Sequence, residues 1–128
     1  MEKPRIRHIA LNVQNREALA EYYTRVFGLE EKYRGPNGTI YLSDGFVGVA
    51  LISRPELPWG INHFGFEVEN GEKIVERLKK INPNKLPKSR PNGRPYAETR
   101  GSDPDGNYFD ISEHGFQNVL PLGEKKDS

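Results

Sequence analysis

The chain has 128 residues, with 19 Lys and Arg against 18 Asp and Glu, and no cysteine. A single compact domain of this length buries roughly two thirds of its unfolded surface and folds without staples. The missing cysteines exclude disulfides, thiolate metal sites and cysteine nucleophiles, and the interspersed charges predict no nucleic-acid partner.

Residues 5 to 13 alternate as a strand does, with Ile9, Leu11 and Val13 on one face and His8, Ala10 and Asn12 on the other. The apolar face is predicted to be core. Asn15 then stands where an N-cap belongs, Leu19, Tyr22, Tyr23, Val26 and Phe27 follow at helical spacing, and Gly28 is a stop. Glu30 to Arg34, Thr39 to Leu42 and Phe46 to Ile52 read as three strands joined by Gly- and Asn- or Asp-containing hairpin connections. Residues 5–53 thus form a strand, a helix and three strands. Residues 54–60 carry two prolines and a glycine and are read as a linker.

The plan then repeats over residues 61–114. Ile61 to Glu69 is a strand, and a helix runs from an Asn70 cap through Ile74, Val75, Leu78 and Ile81 to a stop at Asn82-Pro83. Pro83 to Pro95 is a basic, proline-rich loop with a short strand, placed to cover a cleft. Tyr96 to Arg100 and Tyr108 to Glu113 are the last strands, and residues 115–128 form a tail that frays from Gln117 onward. The longest apolar run, Phe46 to Ile52, is far short of a membrane span, and the N-terminus has no apolar signal region. A soluble, cytoplasmic protein with no membrane partner is expected.

The repeat is visible residue by residue. Arg7-His8-Ile9-Ala10-Leu11-Asn12-Val13 returns 55 residues later as Asn62-His63-Phe64-Gly65-Phe66-Glu67-Val68, and the same offset carries Asn15 onto Asn70 and Glu17 onto Glu72. Each copy opens with a histidine. Two such strands related by a two-fold can bring both imidazoles into one cleft, which a metal site assembled from distant residues requires. Parity supports this, because Phe64, Phe66 and Val68 face the helix while His63, Gly65 and Glu67 face away. In the last strand Phe109 and Ile111 take the helix side, so Tyr108, Asp110 and Ser112 take the cleft side. Asp110 is therefore the natural third ligand, with Glu113 as the alternative if the strand bulges. Two histidines and one carboxylate suit a redox or Lewis-acid divalent metal.

Asn12 and Glu67, on the faces of His8 and His63, are candidates to support the ligands or to meet substrate, as are Tyr96 and Tyr108. Packing is the first role expected of Tyr41 and of the other strand tyrosines. Arg100 reads as a surface charge, His114 as solvent-facing, and Lys88, Arg90 and Arg94 as a solvated loop.

These residues resemble the vicinal oxygen chelate superfamily, the group of glyoxalases, bleomycin-resistance proteins and extradiol dioxygenases. The similarity covers roughly residues 5 to 114 and rests on His8, on Tyr22-Tyr23-Thr24-Arg25-Val26-Phe27-Gly28-Leu29, on His63, and on the turn Asp103-Pro104-Asp105-Gly106-Asn107 leading to Asp110. It implies an α+β fold of two βαβββ modules forming a cupped mixed sheet around a cleft. The implied metal is divalent, iron(II) or manganese first and zinc or nickel next, and the implied partner is a small oxygenated substrate; a homodimer is compatible. The metal-binding glutamate of the family's last strand falls on Asp110 here. Phe46 to Ile52 lacks the fourth ligand of glyoxalase I, so the ligand set is closer to that of the extradiol dioxygenases. The rival function is metal-free sequestration of a small molecule, as in the antibiotic-resistance branch.

Overall fold

The structure is a computed structural model that describes residues 3–90, 95–117 and 120. The first module consists of β1 (Arg5–Asn12), α1 (Arg16–Phe27), β2 (Glu30–Arg34), β3 (Ile40–Ser43) and β4 (Gly48–Ile52). The second repeats it as β5 (Gly60–Glu67), α2 (Gly71–Ile81), β6 (Lys88–Ser89), β7 (Thr99–Ser102) and β8 (Tyr108–Ser112). All the strands form one mixed sheet in the order β2-β3-β4-β1-β5-β8-β7-β6. In each module the first strand pairs in parallel with the last, and the modules join where β1 meets β5 antiparallel. The opening strands, each carrying its histidine, therefore lie side by side at the centre of the sheet.

Equivalent caps start the two helices. The Asn15 side chain accepts from the Ala18 amide at 3.0 Å and the Asn70 side chain from the Lys73 amide at 3.2 Å, each contributing about 1 kcal/mol. Gly28 closes α1 in the left-handed conformation, at φ 75°. Two strands begin two or more residues later than the sequence suggests. Asp44 accepts from the Phe46 and Val47 amides, both at 2.8 Å, which holds these residues in a turn and delays β4 to Gly48. Tyr96 has φ 67°, so the strand expected from it starts instead at Thr99.

The α1 side of the first module is well packed, with Ala20, Ile40, Leu42 and Leu51 buried against Leu11, Val13, Leu19 and Tyr23. The second module is looser. No described residue of α2 is fully buried, and an apolar cavity of about 440 Å³ separates Ile74 and Leu78 from Phe64, Phe66, Phe109 and Ile111. Beyond β8, Phe116 and Leu120 are buried against Tyr96, so the chain there is anchored at Leu120 rather than frayed from Gln117. Residues 121–128 of the predicted tail, and Arg94, lie outside the described residues. No described helix is long and apolar enough to cross a membrane.

Candidate metal centre

The centre is built on one row of cross-strand partners. Ser43, Gly48, His8, Gly65, Asp110, Arg100 and Lys88 succeed one another across β3, β4, β1, β5, β8, β7 and β6. Partners in such a row share a face. Gly65 sits between the two ligand candidates, and a Cβ built there would lie 2.9 Å from His8 Cδ2, 3.2 Å from His8 Cβ and 3.4 Å from Asp110 Cβ. A glycine is what lets these side chains close over it.

His8, His63 and Asp110 each offer one ligand atom, and these atoms all lie within 4.8 Å of one another. Asp110 Oδ2 is 3.1 Å from His63 Nε2 and 3.7 Å from His8 Nε2. His63 Nδ1 lies 2.6 Å from Asn62 Oδ1, an acceptor, so Nδ1 is the nitrogen that donates there and Nε2 is the one that faces Asp110. Nε2 and the Asp110 carboxylate oxygen, 3.1 Å apart, are held together by a proton on Nε2 or by another cation.

Arg100 supplies one. Its Nε donates to Asp110 Oδ1 at 2.8 Å, and its Nη2 lies 3.2 Å from both Asp110 Oδ2 and His63 Nε2. The guanidinium also sits over the Tyr108 ring, 5.7 Å from its centroid. This corrects the reading of Arg100 as a surface charge: the side chain is only 23% exposed and is bound to the cluster. Burial would raise the Asp110 carboxyl, but His63 and Arg100 outweigh it and hold the pKa at about 2. Burial, followed by the neighbouring His63, holds His8 at about 3, so its imidazole is neutral across the physiological range. His8 Nδ1 is buried without a hydrogen-bond partner.

The remaining candidates divide clearly. The Asn12 carboxamide is committed to the linker, donating to the Arg54, Leu57 and Pro58 carbonyls at 2.9, 3.2 and 3.0 Å and accepting from the Arg54 amide at 2.7 Å. Glu67 pairs with Arg7 at 2.5 Å. Glu113 is turned away from the cluster, accepting from the Gly71 amide at the start of α2. His114 is 67% exposed, as expected. Tyr108 is 53% exposed and lines a cleft of about 880 Å³ with Lys85, Lys88, Arg90, Arg100 and Ser102. The loop read as merely solvated thus contributes three cations to a hollow beside the cluster.

Tyr96 is fully buried. Its ring lies 4.9 Å from His8 and stacks on Phe116 at 4.5 Å, and its hydroxyl has no hydrogen-bond partner. Burial, followed by Tyr41, raises its pKa further above the ordinary tyrosine value. It forms the wall behind His8 rather than an open substrate contact, and a Cβ on Gly48 would come within 2.7 Å of its ring. Arg7 was not singled out by the sequence, because strict alternation places it with Ile9. A register shift between Ile6 and His8 frees it from that alternation, and its fully buried guanidinium lies 4.8 Å from the Phe46 ring centroid and 5.1 Å from that of Phe116.

The Glyoxalase/Bleomycin resistance protein/Dioxygenase superfamily model matches residues 5–111. A trivalent organoarsenical cleaving enzyme from Bacillus sp. (strain MD1) is 30% identical over 79 residues, 60% of this chain and 49% of that protein. The chain therefore spans about half the length of this curated relative. Among solved structures, the 2,3-dioxygenase LapB from Pseudomonas sp. KL28 superposes with a TM-score of 0.70 at 22% identity, over 85% of this chain and 40% of that one. Methylmalonyl-CoA epimerase from Mycobacterium tuberculosis gives 0.70 at 14% identity, over 84% and 86%. With its paired modules, single mixed sheet and matched span, the chain belongs to the glyoxalase/bleomycin resistance protein/dioxygenase superfamily.

Proposed function

We propose that the protein is a divalent-metal enzyme acting on a small oxygenated molecule, with His8, His63 and Asp110 as the metal ligands. The carrying observation is that three ligand atoms from three different strands lie within 4.8 Å of one another, with His63 Nδ1 held by Asn62. Two imidazoles and one carboxylate fit iron(II) or manganese, with zinc or nickel next, and leave coordination positions open. Such a metal, when bound, supplies Lewis-acid polarisation or oxygen activation at adjacent substrate oxygens.

The chain's own residues bind and shield. Neutral His8 presents an unprotonated nitrogen throughout the physiological range, and Tyr96, stacked on Phe116, keeps water from the back of its ring. Tyr108 and the Lys88 side of the cleft remain open to an incoming molecule.

A dioxygenase-like reaction is favoured over a glyoxalase-like one because β4 carries no carboxylate or histidine to act as a further ligand. The organoarsenical relative does not extend its substrate to this protein. Trivalent arsenic is a soft centre that prefers thiolates, and this chain has none.

The test is equilibrium titration of chelator-treated protein with iron(II), manganese and zinc, followed by a turnover screen of catechols, thiol adducts and antibiotics on the loaded form. One metal per chain with catechol turnover is expected. Absence of metal binding, with tight antibiotic binding, would replace the enzyme by a sequestering protein.

A further inference from the structure

The metal position is next to a cation that the chain already owns. Arg100 Nη2 reaches both Asp110 Oδ2 and His63 Nε2 at 3.2 Å, two of the three atoms a metal would need, while Nε holds Oδ1 at 2.8 Å. The guanidinium and a metal cannot both command these lone pairs. Displaced from Asp110, Arg100 has a definite place to go: the cleft beside it is lined by Lys85, Lys88 and Arg90 with Ser89, Ser102 and Tyr108, and by no carboxylate among the described residues. A fourth cation there needs an anion.

We propose that Arg100 is a placeholder cation, which occupies the metal-binding atoms of the metal-free protein and turns into the basic cleft when metal enters, where it takes the anionic group of the substrate. The proposal rests on the metal reading above and adds to it the substrate class. Lys88 lies two strands from Asp110 in the same cross-strand row, and strands are about 4.8 Å apart, so the two backbones are roughly 10 Å apart. A compact molecule spans that distance, with a carboxylate or comparable oxyanion at Arg100 and Lys88 and its metal-binding oxygens near His8 and His63. Metal and anion then assist each other, because each stabilises the arrangement in which Arg100 has left Asp110. Linkage makes this coupling reciprocal.

The experiment is calorimetric titration of chelator-treated protein with manganese(II), with and without benzoate as the probe anion, on the wild type, Arg100→Gln, Arg100→Lys and Lys88→Gln. Arg100→Gln is expected to bind manganese at least tenfold more tightly than the wild type in the absence of benzoate, because the competitor is gone. Benzoate is expected to tighten manganese binding several-fold in the wild type and not in Arg100→Gln. Arg100→Lys keeps the charge but loses the fork, so a smaller gain is expected, and it serves if the glutamine variant does not fold. Lys88→Gln, at an exposed position, should weaken the benzoate effect. Wild-type manganese binding that Arg100→Gln leaves equal or weakens, or that benzoate leaves untouched, overturns the placeholder while sparing the metal site. Failure of both wild type and variants to bind manganese overturns both.

Discussion

Replacing Gly65 by alanine is the sharpest perturbation of the centre short of touching a ligand. The new methyl would stand 2.9 Å from His8 Cδ2, 3.2 Å from His8 Cβ and 3.4 Å from Asp110 Cβ. Real carbon contacts do not approach 2.9 Å, so His8 must shift, yet its ring is enclosed by Tyr96 at 4.9 Å and His63 at 5.3 Å. Overpacking of this kind costs about 1–3 kcal/mol. Misplacing a ligand that other groups had oriented costs roughly 10–100-fold in metal affinity. Urea unfolding of the metal-free variant and a manganese titration read the two effects separately. A Gly65→Ala protein with wild-type stability and affinity would refute the placement of His8 and Asp110 on either side of this residue.

Asn62→Ala should leave stability nearly unchanged while weakening metal binding about 10-fold or more, because the proton on His63 Nδ1 loses its acceptor; calorimetry measures it. Asn12→Ala should destabilise by roughly 2–4 kcal/mol in urea unfolding, since it strips partners from three linker carbonyls and one amide without touching the ligands. The metal-free protein should lose stability in acid. A folded-state His8 pKa near 3, below the ordinary 6.5, means that the unfolded chain binds the extra proton, so stability present above 6.5 falls as pH drops toward 3, by up to about 1.4 kcal/mol per unit. Asp110, also depressed, adds its loss only below 3.8. Urea midpoints at pH 7 and pH 5 should differ in the wild type and converge in His8→Gln.

Much of the fold was legible because its units are local. The alternation around His8 and His63, the caps at Asn15 and Asn70 and the stop at Gly28 are short-range signals that tertiary packing did not override. The convergence of His8, His63 and Asp110 followed from parity, which holds wherever strand registers run unbroken. What escaped depends on non-local geometry. The pairing of Arg100 with Asp110 needs the β7–β8 register, and the late start of β7 follows from Tyr96 entering left-handed backbone that a tyrosine rarely adopts. The burial of Arg7 needs a bulge that no residue type announces. Asn12 shared the ligand face, but its partners are linker carbonyls some forty positions away, and parity alone cannot separate a polar side chain that meets substrate from one that ties down a loop.

The most direct measurement is the anomalous difference density of crystals grown with manganese(II). One peak is expected in coordination contact with the His8 and His63 imidazoles and an Asp110 carboxylate oxygen, with the Arg100 guanidinium turned toward Lys88. A peak elsewhere, or none while Arg100 still holds Asp110, would contradict this expectation.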